Sequence, residues 1–193
     1  MARPAENMPY TFADVLAWDE SERAELIDGE PVLPATPLRE HQRVSGEIFA
    51  QIHSFLKGKP CQVYHAPFSV RPFARKEDRP EDVDTVLEPD ITVVCDPEKL
   101  DKYGCRGAPD WIVEILSDST QRHDRFVKYR LYEQAGVREY WIVDPEKQTV
   151  QVFRLEEGRY AAVDFQSAEG RVSSGVLEGL EIDLAAVFTE GAG

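Results

Sequence analysis

Long apolar runs are missing from this chain. None comes near the ~18 residues that a membrane-spanning helix needs, and the opening stretch Met1-Ala-Arg-Pro-Ala-Glu-Asn-Met-Pro-Tyr10 has no apolar segment of the kind a secretory signal carries. Cysteine is scarce. Cys61, Cys95 and Cys105 are odd in number and show no Cys-x-x-Cys spacing. That excludes a small disulfide-stapled scaffold and favours a reducing compartment, with Cys95 packing in a β-like run as a small hydrophobe. A zinc site through Cys61 and His65 lacks a second ligand pair. The expected location is the cytoplasm. Basic charge is also in short supply: 22 Lys and Arg stand against 36 Asp and Glu, for a net charge of −14. Tight non-specific binding to nucleic acid needs many phosphate-neutralising cations, so it is disfavoured. An enzyme whose acidic residues hold a cation, with basic residues gathered locally, stays compatible. Internal repeats and low-complexity segments are absent.

With 193 residues, 42% of them hydrophobic, the chain can bury one real core without disulfides. We expect a single domain over 1–193 with short flexible ends. Thr11-Phe-Ala-Asp14 matches a capping box and opens a short helix to about Trp18. Glu25-Leu-Ile-Asp28-Gly29-Glu30, with Val32 and Leu33 beyond it, carries the Asp-Gly signal of a hairpin. Val44, Ile48, Ile52, Phe55 and Leu56 recur at helical spacing between His41 and Lys57, and Gly58 closes that helix. Cys61–Val70 reads as a strand. The charged, proline-broken stretch 72–89 reads as an exposed loop whose basic residues Arg71, Arg75, Lys76 and Arg79 are diluted by acids. Strands are expected at Asp90–Cys95, Trp111–Leu116 and Glu139–Asp144. A helix capped by Asp118, Ser119 or Thr120 and ending near Ala135-Gly136 lies before the last of them. A hairpin turns at Glu157-Gly158, and the tail from Gly179 to Phe188 closes the chain as one helix. The order predicts an α/β fold with a mixed central sheet flanked by helices and with hairpins near both ends.

Several residues do not belong where the pattern puts them. In strand 111–116, Trp111, Val113 and Ile115 face one way, and Ile112, Glu114 and Leu116 the other. A strand apolar on both faces is central to its sheet, so an ionised Glu114 needs a cation or good hydrogen bonds. A structural salt bridge is the alternative; without compensation, Glu114→Gln should be neutral or stabilising. Asp90 opens another apolar strand after Glu88-Pro89. Alone it is ordinary turn chemistry; beside Glu114 it makes a carboxylate pair of the kind Mg²⁺ favours. At about 100° per residue, Asp124 and Lys128 fall on the arc shared by Val127, Leu131, Tyr132 and Ala135. A surface i,i+4 ion pair would lie on the polar face instead. His41 sits on the stripe of Val44, Ile48 and Ile52 and is a supporting candidate, with a hydrogen-bonded core histidine as the alternative.

Glu88-Pro-Asp90, Ala108-Pro-Asp-Trp-Ile-Val-Glu114-Ile-Leu-Ser117-Asp-Ser-Thr120, Asp124-Arg-Phe-Val-Lys128-Tyr129 and Ala135-Gly-Val-Arg-Glu-Tyr-Trp-Ile-Val-Asp-Pro145 together resemble the Uma-two family of endonucleases, within the PD-(D/E)XK nuclease superfamily. The resemblance runs from about Tyr10 to Tyr160, and includes the Glu25 segment and the helix opened by His41. It implies a restriction-endonuclease-like fold and a catalytic set of Asp90, Glu114 and Lys128. The superfamily's lysine usually lies two residues after the glutamate, where this chain has Leu116; the family's displacement of it onto the next helix matches Lys128.

The implied chemistry is phosphodiester hydrolysis in DNA. Asp90, Glu114 and the backbone carbonyl of Ile115 would hold Mg²⁺ or Mn²⁺. Lys128 would act on the attacking water or the phosphate. Asp124, His41 and Glu25 would support them, and Arg122, Arg125 and Arg130 would meet the DNA backbone. DNA binding should be weak and salt-sensitive, with a homodimer as a possible assembly. The rivals are a catalytically silent nuclease-fold protein used for binding or assembly, and a hydrolase of small phosphate esters.

Overall fold

The computed structural model describes residues 9–19, 24–33, 36–117 and 123–189, with the backbone course alone at 123 and 124. Its centre is a six-stranded mixed sheet. In spatial order the strands are β11 (Arg159–Ser167), β10 (Thr149–Glu156), β9 (Glu139–Asp144), β8 (Trp111–Ile115), β5 (Ile91–Val94) and β3 (Gln62–His65). Within this sheet, β8 and β9 run parallel and the other neighbouring pairs antiparallel. A parallel pair needs a crossover, and the crossover here carries the predicted lysine.

Helix α2 (Arg39–Leu56) covers one face of the sheet. Its Val44, Ile48 and Ile52 pack on Ile91, Val93, Trp111, Val113, Ile115 and Trp141, and the C-terminal residues Ile182, Val187 and Phe188 join the same core. On the other face Ile112, Leu116, Tyr140 and Ile142 meet Leu131 and Tyr132 of helix α3 (Tyr129–Ala135). The alternation expected for β8 is therefore observed, with Glu114 on the α3 side.

The short helix α1 (Phe12–Ala17) starts at a Thr11/Asp14 capping box. The predicted hairpins form between β1 (Glu25–Ile27) and β2 (Glu30–Val32), and between β10 and β11. Both turn through an X-Gly pair at positive φ, Asp28-Gly29 at 49° and 78° and Glu157-Gly158 at 49° and 79°, the geometry that matches strand twist.

Several expectations need correction. The single strand Cys61–Val70 is two strands, β3 and β4 (Ser69–Arg71), with Pro67 between them. Proline lacks the N–H that a ladder uses. β4 pairs with β7 (Gly104–Arg106), and β7 with β6 (Leu100–Asp101), in a small sheet that no periodic pattern announced. The stretch 72–89 is only partly exposed: Val83, Thr85, Val86 and Leu87 are buried, and bridges join Leu26 to Val86 and Val70 to Leu87. The tail is a strand, β13 (Glu181–Asp183), paired with β12 (Arg171–Ser173), before the short helix α4 (Leu184–Phe188). Cys61 and Cys95 form a disulfide where free thiols were expected. Their register explains it: Gln62 pairs with Val94, so the next residues outward stand opposite each other. Cys105 is free and buried. Among the described residues no helix is long and apolar enough to cross a membrane.

Candidate active site

Strand register brings the first two site residues together. Ile91 pairs with Val113, so one step further sets Asp90 opposite Glu114. Asp90 Oδ2 accepts the backbone N–H of Ile115 at 2.8 Å and lies 3.2 Å from His41 Nε2. That hydrogen bond ties the carboxylate to the end of β8, and α2, from the face it covers, delivers the imidazole. Glu114, only 3% exposed, receives two donors on the same oxygen. Lys128 Nζ lies 3.0 Å from its Oε1 and the Tyr132 hydroxyl 2.7 Å. Lys128 is itself 6% exposed, and its ammonium also lies 2.9 Å from Glu25 Oε1. Glu25 accepts the backbone N–H of Glu88 at 2.8 Å. Three carboxyl groups thus surround one ammonium and one imidazole at the end of two central strands.

Burial and the charges of Glu114 and Glu25 push the Tyr132 phenol well above its usual range. It acts here only as a donor. Breaking a buried ion pair by deleting one partner typically costs about 3–5 kcal/mol, so this cluster is stable only as a set.

The expected residues divide clearly. Asp90, Glu114, Lys128, His41 and Glu25 meet. Arg125 turns instead to the sheet, with Nη1 2.8 Å from Gln151 Oε1 and Nη2 3.3 Å from Asp144 Oδ2. Arg130 is exposed. Arg122 and the side chain of Asp124 lie outside the described residues. Val127 was placed on the inward arc but is 39% exposed. The reason is that His123–Lys128 is a π-helical turn feeding α3, which shifts the phase before Lys128 while leaving Leu131 and Tyr132 inward. Tyr132 was read as an apolar neighbour; the signal for its contact was its place four residues after Lys128.

Asp90 and Glu114 offer hard oxygen donors, with the carbonyl of Ile115 on the same strand end. Among the described residues no three His, Cys, Asp or Glu side chains form a cage for a cation. Two carboxylates that leave the remaining positions to water and phosphate are the usual provision for Mg²⁺, so the donor set fits such an ion.

The fold and family signal define a nuclease-like protein of the restriction-endonuclease-like class. Over residues 12–185 the chain matches the family described as "Uma2: Putative restriction endonuclease", and it belongs to that family. It is similar in structure to a chain from Anabaena variabilis described as "a putative nuclease belonging to DUF820", with a TM-score of 0.71 and 21% identity over 93% of this chain and 98% of that one. It is also 22% identical over 160 residues to "Uncharacterized protein slr1290" of Synechocystis sp., spanning 81% of this chain and 80% of the other.

Proposed function

We propose that the protein is a divalent-metal-dependent endonuclease that hydrolyses phosphodiester bonds in DNA. The observation that carries this reading is the buried ammonium of Lys128 between Glu114 and Glu25, beside Asp90. A surplus of carboxyl groups at a strand end suits a cation, and an ammonium among them suits an anionic reactant. Asp90, Glu114 and the Ile115 carbonyl would hold Mg²⁺ or Mn²⁺. When bound, such an ion polarises the scissile phosphate and lowers the pKa of an attacking water. Lys128 orients that water or neutralises charge developing on the phosphate. Tyr132 holds Glu114 in place, His41 holds Asp90, and Glu25 fixes the lysine.

The test is Mn²⁺-dependent cleavage of plasmid and single-stranded DNA, with melting curves at each metal concentration. Wild type should cut, and metal should raise its melting temperature because a ligand of the native state alone stabilises it. Lys128→Met keeps the length and apolar body of the stem, so it should still fold, at a lowered melting temperature because Glu114 and Glu25 lose this ammonium, and retain most of the metal shift while turnover disappears. Lys128→Arg should also be impaired, since a guanidinium differs in shape and does not give up a proton. Full activity in Lys128→Met, or an undiminished metal shift in Glu114→Ala, overturns the assignment. Inactivity of wild type with every metal and substrate favours the silent binding role.

A further inference from the structure

A cavity of about 290 Å³ lies between α1, β4 and the turn that joins β6 to β7, with Glu88 on its wall. We propose that it takes one unstacked nucleobase of the substrate strand, an inference that rests on the nuclease reading above.

Three features of the walls argue for a base. Phe12, Trp18 and Tyr103 line the cavity, and Phe12 and Tyr103 meet edge to face with ring centroids 5.5 Å apart. Aromatic walls of this kind bind the π-face of any base. Two polar atoms of lining residues, Trp18 Nε1 and Ser69 Oγ, are shut off from water with no hydrogen-bond partner among the described residues. Burying a polar group unpaired costs roughly 1–3 kcal/mol, and orphaned buried groups of this sort are uncommon. Indole N–H donates only, and a serine hydroxyl rotates freely to donate or accept. Neither atom is reached by water as the side chains stand, so a ligand that brings carbonyl or ring-nitrogen acceptors satisfies them only once these side chains turn toward the cavity. Finally, the charged groups on the wall are Asp19 and Glu88, and among the described residues no Lys or Arg lines it. Arg71 stands over the Phe12 ring at 4.8 Å and Lys102 over the Tyr103 ring at 4.5 Å, so the acids on the wall favour a neutral group without excluding phosphate. The wall admits an uncharged, planar, acceptor-bearing group.

Position and size make the same point. The backbone N–H of Glu88 is bonded to Glu25, whose carboxylate meets Lys128. Glu88 precedes Asp90 by two residues, a reach of at most about 7 Å along an extended chain. A base seated here belongs to a nucleotide next to the phosphate at Asp90 and Glu114. The volume lies at the small end of ligand pockets, whose range begins near 300 Å³, which is room for one base and not for a stacked pair.

The probe is a single-stranded oligonucleotide carrying one 2-aminopurine, titrated with protein at low ionic strength in EDTA, so that no cleavage occurs. Anisotropy of a dye at its end reports binding independently. In wild type the 2-aminopurine emission should change in parallel with anisotropy, and a large excess of inorganic phosphate should displace the base signal no faster than the anisotropy. Tyr103→Ala removes an exposed wall and Ser69→Ala one orphaned hydroxyl. Each should weaken the base signal at least about fivefold, the low end for loss of one base contact, with no fall in melting temperature. Trp18→Phe keeps the ring without the donor and should fall between them and wild type. Binding by anisotropy with no emission change, an emission change untouched in Tyr103→Ala and Ser69→Ala, or no binding at all overturns the pocket. Cleavage by wild type without a base signal sinks the pocket alone; a base signal without cleavage in Mn²⁺ sinks the nuclease reading alone.

Discussion

Glu114 sits where a single atom decides the charge balance: its Oε1 takes both the Lys128 ammonium and the Tyr132 hydroxyl. An uncompensated glutamate at this position would make Glu114→Gln harmless. The observed partners reverse that expectation. The amide keeps an acceptor but loses its charge, so the ion pair with Lys128 is lost while that with Glu25 stays. Without metal, Glu114→Gln should lower stability by about 1.5–3 kcal/mol, the worth of a hydrogen bond to a charged group, measured by urea denaturation. A neutral result would show that the pair contributes no net stability. Glu114 and Lys128 were legible in the sequence because charge on an apolar face is anomalous in either period. Tyr132 was not, since a tyrosine on an inward arc looks like packing until its hydroxyl has a partner. Nor was the Glu25–Lys128 contact, which exists only after the hairpin and the crossover helix dock, 103 residues apart in the chain (128 − 25).

The element that carries the lysine is anchored by a residue first read as a DNA contact. Arg125 bonds Gln151 on β10 and Asp144 at the end of β9, so it fastens the π-helical turn to the sheet three residues before Lys128. Arg125→Ala should lower turnover and melting temperature together while leaving the salt dependence of DNA binding unaltered. A phosphate contact would instead reduce the slope of log K against log salt by about one. Asp144 makes the same anchor acid-sensitive. Burial raises its carboxyl, but hydrogen bonds from the Lys147 side chain and backbone and the charges of Lys147 and Arg125 outweigh that and hold it below the usual range. A depressed carboxyl contributes stability above its unfolded pKa and loses it as pH falls through the folded one. The acid limb of the melting profile, below about pH 4, should therefore flatten in Asp144→Asn, which should also be less stable near neutrality. An unchanged acid limb would remove Asp144 from this role. Elements with a clear period were readable in advance: α2, β5, β8, β9 and the terminal hairpin. β4, β6 and β7 were not, because two or three residues carry no period, and the charges around 75–82 hid the buried run that follows them.

Across the whole molecule the −14 charge sets the terms on which DNA can approach. General repulsion opposes encounter, and only local cations offset it. Salt screens the long-range repulsion, but each phosphate contact loses its counterion-release gain as salt rises, and with few such contacts little affinity remains. Cleavage should fall steadily from low to high ionic strength, read as initial rate on a plasmid substrate. Tight binding that persists unchanged in high salt would contradict it. The sheet that unites these parts has a temporal side. Glu25, Asp90 and Glu114 are all synthesised before Lys128, and chains emerge N-terminus first at about 5–20 residues per second. Between Glu114 and Lys128, about one to three seconds at that rate, the nascent chain carries three acids destined for one spot and not yet the ammonium that reconciles them. β5 and β8 can pair in that interval, but their shared end stays unsettled until the crossover arrives, so the charges of the site are balanced later than its strands are made.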